Sequence, residues 1–358
     1  MKVLILGVNG FIGSHLSERI LKETNWEVYG MDLGHHKLAR VFSNSRFHFV
    51  EGDIAINREW IEYNIKKCDV VLPLVAIATP KSYIENPLGV FELDFEENLR
   101  IVRFCVKYKK RIIFPSTSEV YGMCSDSAFD EDISNLVLGP INKERWIYSC
   151  SKQLLDRVIW AYGARGDLEF TLFRPFNWIG ARLDSLETSK EGSSRVVTQF
   201  IGSMVYGEPI VLVNGGNQSR SFTYIDDGID AVMKIIRNPG GRANGQIFNI
   251  GNPANNCTIK ELARKLLTMY RNHPANPNGH ADTDIIEKDE AIYYGQSYQD
   301  ISTRVPKINK AQELLGWSPR ILLDDALQRT LDSFLEEMQN ATSKNSSANG
   351  LVQGQAVH

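Results

Sequence analysis

The chain lacks the signatures of several whole classes of protein. Its five cysteines, Cys68, Cys105, Cys124, Cys150 and Cys257, are scattered with no C-x-x-C spacing. That excludes a zinc ribbon or disulfide framework and points to a reducing, cytoplasmic compartment. No apolar run approaches a membrane span, and only Val3-Leu4-Ile5-Leu6 precedes the first glycine, too little for a signal peptide. The seven histidines fall in no metal-ligand pattern, and His35-His36 reads as a solvated loop, so no metal is expected. Charge is nearly balanced, 40 basic against 43 acidic residues for a net −3, and the two signs are interspersed. Neither a nucleic-acid nor a membrane partner is expected of such a surface. There is no internal repeat.

What is present is an alternation of short apolar runs and amphipathic stretches. Strands are expected at 2–7, 27–31, 46–50, 69–74, 111–115 and 169–174, with helices near 11–23, 58–66, 90–108 and 145–163. Parallel strands need crossovers, so this order predicts an α/β fold: a doubly wound parallel sheet covered on both faces. Beyond Pro175 the pattern loosens. Helices are expected at 194–206, 258–271, 308–316 and 323–338, a strand near 210–213 and a short segment at 246–250. Residues 1–175 therefore read as the sheet domain, with later segments free to return to it, and 176–338 as a smaller lobe over the strand ends. The Asn-, Pro- and His-rich stretch 272–290 reads as a loop or insertion. The Ser/Asn/Gly/Gln-rich segment 340–358 is expected to be disordered.

Directly after the first strand stands Gly7-Val8-Asn9-Gly10-Phe11-Ile12-Gly13, followed by the helical series Ile12, Leu16, Ile20. A strand, a glycine turn and a helix leave backbone N–H groups free to hold a pyrophosphate at the positive end of the helix dipole. Asp32, about 20 residues on, can accept hydrogen bonds from ribose hydroxyls and would repel a 2′-phosphate, which favours NAD over NADP. Arg40 is the nearby counterargument, and a plain cap is the alternative for Asp32. Asp53, after Phe47-His48-Phe49-Val50, stands where an adenine contact belongs and equally where the next helix needs an N-cap.

Tyr148 and Lys152 lie four apart on one expected helix and so share a face. For Tyr148 to act as a base near neutrality its phenolate needs about 4 kcal/mol of help, which a neighbouring lysine and a positive nicotinamide ring both supply. At the end of the strand Arg111 to Phe114 comes Pro115-Ser116-Thr117-Ser118-Glu119-Val120-Tyr121-Gly122. Open α/β sheets bind ligands at the carboxyl ends of their strands, so these hydroxyls and this carboxylate should face the cofactor.

Together, the glycine turn, the Ser-Thr-Ser-Glu-Val-Tyr-Gly strand end and the Tyr/Lys helix resemble the extended short-chain dehydrogenases that act on nucleotide sugars. A narrower resemblance, reaching to about Glu337, is to the ArnA-type dehydrogenase/decarboxylases. It rests on Asp69 to Pro80, Phe91 to Arg100, Arg111 to Asp126, Arg145-Trp146-Ile147-Tyr148 and Phe170 to Trp178. The resemblance implies NAD-dependent oxidation of UDP-glucuronate at C4 with loss of carbon dioxide, giving a UDP-4-keto-pentose and NADH. It implies an NAD site at Gly7, Gly10, Phe11, Ile12, Gly13, Asp32, Asp53 and Ile54, with Tyr148 and Lys152. Thr117 and Ser118 become substrate-contacting hydroxyls, Glu119 and Arg304 match catalytic acid/base positions, and Ala78, Tyr83, Arg145, Asn177, Arg195, Val211 to Arg220 and Tyr298 match UDP-sugar contacts. Helices 90–108 and 145–163 match the pair that forms a four-helix dimer interface, so a homodimer is implied.

Elementary chemistry agrees with that activity. A ketone at C4 is β to the carboxyl group and turns the electrons left by departing carbon dioxide into an enolate. An arginine suits the carboxylate because its planar fork donates two parallel hydrogen bonds; the alternative for each arginine is an ordinary surface ion pair. The resembling proteins carry a formyltransferase ahead of this domain, whereas Met1 here opens the first strand, so formyl transfer is not expected of this chain. Apiose-forming synthases have cysteines at the positions of Ala78 and Ser118, and 4,6-dehydratases an aspartate at that of Ser118, which disfavours both chemistries. Reduction of the ketone to UDP-xylose and simple 4-epimerisation remain alternatives, and a redox-sensing NAD-binding regulator is the alternative outside catalysis.

Overall fold

The computed structural model describes residues 1–276 and 283–353, the stretch 341–353 by its backbone alone. Seven strands form one parallel sheet: β1 (Lys2–Leu6), β2 (Glu27–Asp32), β3 (Phe47–Glu51), β4 (Val70–Pro73), β5 (Arg111–Pro115), β6 (Phe170–Pro175) and β7 (Gln246–Ile250). Their order is 3-2-1-4-5-6-7, with every neighbouring pair parallel. The order reverses between β1 and β4, and the crevice of a doubly wound sheet opens at that reversal. This is the expected fold class. The last strand comes from beyond residue 175, so the second half of the chain completes the sheet.

Alternate side chains of each strand enter opposite cores, which is why the strands read as continuous apolar runs. Val3 and Ile5 pack on one side with Leu16 and Ile20 of α1 (Phe11–Glu23), while Leu4 and Leu6 pack on the other with Ile61 and Ile65 of α2 (Arg58–Lys67). The second side also receives Ile101 and Cys105 of α3 (Asn98–Tyr108) and Leu155 and Ile159 of α4 (Trp146–Ala164). Helices α5 (Val196–Tyr206), α6 (Ile225–Arg237), α7 (Ile259–Arg271) and α8 (Leu323–Gln353) complete the first side and the C-terminal lobe. No helix among the described residues is long and apolar enough to cross a membrane.

Two expectations need correcting. The helix expected over 90–108 is broken into Pro87–Phe91, a wider π turn at Glu92–Glu97, and α3. Hydrophobic spacing does not register such a turn, because one extra residue keeps the flanking apolar faces aligned while rotating what lies between. The 272–290 stretch is not all loop: Ile285–Lys288 pairs in parallel with Ile210–Val213, and a short helix follows at Glu290–Tyr293; residues 277–282 lie outside the described residues. Of the segment 340–358, expected to be disordered, the backbone is described as a continuation of α8 through Gln353, and 354–358 lie outside the described residues.

Candidate active site

The glycine turn is built so that no side chain fits inside it. Gly7 has φ +84°, a conformation that favours glycine. A Cβ on Gly13 would lie 2.3 Å from the Gly7 carbonyl oxygen and 2.8 Å from the Val8 Cα, so turn and helix touch backbone to backbone. Gly10 is the N-cap of α1, makes no side-chain cap, and is followed by no acid in the first turn. The leading amides of α1 are thus left for an anion, the arrangement a dinucleotide's pyrophosphate requires. The residues fit NAD on this geometry.

Asp32 ends β2 and accepts the N–H of Asn9 and of Leu33, each at 2.8 Å, so one carboxylate steadies both the turn and the next loop. Burial raises its carboxyl above the usual aspartate range, opposed by those two amides. Arg40 points away, largely exposed and 3.8 Å from Glu18. Asp53 accepts the Ala55 N–H at 2.8 Å and so closes a local turn, whereas α2 itself starts at Asn57. That settles the capping question against an N-cap and leaves Oδ2 open. The Ile54 side chain is buried in the core. Both carboxylates stand at the strand-end rim.

On the other side of the switch point a cavity of about 440 Å³ runs from Gly10 past Ala78, Thr117, Ser118, Tyr148 and Asn177 to Val211, Arg220 and Arg304. Tyr148 is buried and stacked on Tyr83, ring centroids 4.7 Å apart and planes within 7°. Burial and the nearby Asp94 carboxylate push its phenol well above the usual tyrosine range, while a hydrogen bond from Thr117 pulls the other way. Lys152 lies 5.9 Å from the Tyr148 ring, donates to the Pro115 carbonyl at 3.4 Å and pairs with Asp94 at 3.4 Å. In this arrangement burial holds the phenol in its protonated form, with Thr117 and Arg195 favouring the phenolate.

Deeper in the cavity, charge is concentrated. Glu119 Oε2 takes Arg145 Nη2 at 2.5 Å and its Oε1 takes Arg304 Nη1 at 2.5 Å. Burial would raise the Glu119 carboxyl, but Arg145, Arg304 and Arg220 together hold it at about 2. It is a carboxylate at neutral pH, so of the two expected acid/base roles only that of base or charge partner is open to it in this arrangement. Arg220 pairs with Asp300 at 2.8 Å, making three guanidinium groups to two carboxylates. The Nε of Arg304 is buried without a partner. A further anion would balance the cluster.

Not every expected contact reaches the cavity. Arg145 is fully buried behind Glu119, between the rings of Trp146 and Tyr298. It is not among the cavity's lining residues, whereas its partner Glu119 is. Arg195 does line it, 5.6 Å over the Phe11 ring and 3.3 Å from Asp184, between the glycine turn and α5. Sequence reasoning missed Asp94, buried in the π turn, and Asp156, which receives Ser116 Oγ at 2.6 Å and Arg174 at 3.3 Å beneath the catalytic strand end. It also missed Tyr293 and Tyr294, which line the substrate end. Nothing set Asp94 apart from its neighbours Glu92, Glu96 and Glu97 in the sequence.

Several solved structures share this architecture. The PbgP3 protein from Burkholderia pseudomallei superposes with a TM-score of 0.86 and is 57% identical over 95% of this chain and 98% of its own. A UDP-glucuronic acid 4-epimerase from Bacillus cereus, in complex with UDP-glucuronic acid and NAD, gives 0.76 at 24% identity, covering 94% of this chain and all 100% of its own. A dTDP-glucose 4,6-dehydratase from Bacillus anthracis, in complex with NAD, gives 0.76 at 19% identity, covering 95% and 98%. The last two speak for the fold alone. With residues 3–251 matching the NAD dependent epimerase/dehydratase family, the chain is a member of that family, and NAD is its cofactor.

Proposed function

We propose that this protein is an oxidative decarboxylase of UDP-glucuronate, producing a UDP-4-keto-pentose, carbon dioxide and NADH. The observation that carries the reading is the excess of one positive charge in the Arg145–Glu119–Arg304 and Arg220–Asp300 cluster, with Arg304 and Arg220 lining the cavity that holds Tyr148. The diphosphate common to nucleotide sugars suits Arg195 and Arg220, and the C6 carboxylate of a uronate suits Arg304, which lies nearer Glu119.

Held by the Gly7–Gly13 turn and Asp32, NAD would supply a hydride acceptor and a positive charge to the cavity that Tyr148 lines. Tyr148 then takes the C4 hydroxyl proton, with Lys152 supplying the second favourable charge. Thr117 and Ser118 hold the sugar hydroxyls. Arg304 binds the carboxylate, which fixes the C5–C6 bond while C4 becomes a ketone; that bond then breaks, its electrons enter the C4 enolate, and carbon dioxide leaves. A proton added at C5 completes the product. Arg195 and the 211–220 segment hold the diphosphate and uridine. The same reading makes the protein a homodimer, with Leu88, Leu154 and Trp160 exposed on or beside the helices expected to meet across its axis.

Purified protein incubated with UDP-glucuronate and NAD should release NADH and carbon dioxide in equal amounts, with the keto-pentose seen by NMR. NADH without carbon dioxide refutes decarboxylation. Carbon dioxide with UDP-xylose and no NADH favours re-reduction, UDP-galacturonate alone favours epimerisation, and no product favours a sensor. Arg304→Met should abolish carbon dioxide release; full release by that variant removes Arg304 from the mechanism.

A further inference from the structure

The π turn at Glu92–Glu97 carries an acid that the proposed mechanism does not use. Asp94 is fully buried, and so is Lys152, whose Nζ lies 3.4 Å from Asp94 Oδ1. The other oxygen, Oδ2, accepts the Ile77 N–H at 3.0 Å. Four residues on, Asn98 donates to the carbonyls of Val75 at 3.3 Å and Leu93 at 2.9 Å. The widened turn thus ties two side chains to the segment 75–77, whose neighbours Leu74, Ala76 and Ala78 line the cavity. Turns of this kind gather at functional sites because they redirect one side chain without breaking the helix.

We propose that Asp94 is a positioning residue for the Tyr148/Lys152 pair: it is the counter-ion that fixes Lys152, balances its charge and joins it to the cavity wall. The charged and titratable groups facing Tyr148 are Asp94 from the π turn, Glu119 from the end of β5, Tyr83 from the 80–85 helix, Arg195 from the start of α5, and Lys152 on its own helix. Lys152 faces Asp156 as well. Of the anions around Tyr148, Glu119 is neutralised by two arginines at 2.5 Å. Asp94 has one lysine and one amide, and so exerts the stronger opposing field. Lys152 is held in place without being free to collapse onto Tyr148.

The inference rests on Tyr148 as the base of the proposed oxidation. Its test is Asp94→Asn in NAD-loaded enzyme, read by ultraviolet titration of the tyrosinate band with Tyr148→Phe as the blank. We expect the Tyr148 midpoint to move to lower pH by about one unit, the acid limb of kcat for UDP-glucuronate to follow it, and kcat at its plateau to fall about tenfold as Lys152 loses its anchor. KM should stay unchanged, and Asp94→Glu should return the midpoint to that of the wild type. A midpoint that stays put or rises in folded Asp94→Asn overturns the proposal. If Asp94→Asn does not fold, Lys152→Met should lower Tm more than Asp94→Leu/Lys152→Met does, since only the single variant leaves a buried carboxylate unpaired; equal or greater loss in the double variant overturns it too. Wild-type protein that makes no NADH from UDP-glucuronate refutes the substrate reading alone, because the tyrosinate titration needs no substrate.

Discussion

Replacing Glu119 by glutamine removes the anion from the centre of the cluster while keeping its shape. Arg145, with a side chain 0% exposed, and Arg304, at 9%, each lose a partner held at 2.5 Å. Stripping one partner from a buried ion pair costs about 3–5 kcal/mol. An independent route gives a similar figure: a carboxyl held at about 2 against a model value of 4.5 contributes about 3 kcal/mol above the higher value. At about 2 cal/mol/K per residue, a 358-residue chain loses about 1.3 °C of Tm per kcal/mol, so Glu119→Gln should lower Tm by about 4–7 °C at pH 7. Because the folded-state value is depressed, the contribution is fully present above pH 4.5 and disappears as pH falls toward 2. By linkage it should shrink to between about 1 and 2 kcal/mol at pH 3. Thermal and urea unfolding of both proteins from pH 7 to pH 3 measures the difference. Equal stability at pH 7, or a gap that widens toward acid, would refute the ion-pair account of this site.

Gly13→Ala places a Cβ 2.3 Å from the Gly7 oxygen, so turn and helix must separate; NAD affinity should fall at least about tenfold by calorimetry, and an unchanged Kd would show that the close approach is not needed. Tyr148→Phe removes only the ionisable oxygen; NADH formation should fall by about 10²–10⁴ with NAD binding intact, and turnover within a few-fold of wild type would assign the base elsewhere. Asp32 at the end of β2, with both oxygens engaged by amides at 2.8 Å, should exclude a 2′-phosphate, so NADP should bind at least about a hundredfold more weakly than NAD; equal binding would refute its assignment.

The sheet was legible because its strands are buried on both faces and its helices on one, which writes two different periods into the chain. Val3-Leu4-Ile5-Leu6 could hardly be anything but an interior strand, and Leu16 and Ile20 could hardly face water. The glycine turn was legible for a stronger reason, since its geometry admits no Cβ at Gly7 or Gly13. Asp94 was not legible. A π turn keeps the apolar faces on either side in register, so the pattern reads as one helix and the inward acid as an exposed one. Arg145 misled in the opposite sense: arginines are mostly exposed, yet this one is buried because Glu119, Trp146 and Tyr298 surround it.

By itself the sequence determined the α/β class, the NAD turn and the placing of Tyr148 and Lys152 on one helix face, because each depends on spacing within a few residues and on local sterics. It could not determine that β7 joins β6 across 70 intervening residues, that 285–288 is a strand, or that Arg145 and the far more distant Arg304 both close on Glu119. Those pairings are set by the burial of surfaces far apart in sequence. Only the tertiary structure brings three arginines against two acids beside Tyr148, because those five side chains come from segments that meet only when the sheet and the C-terminal lobe pack together.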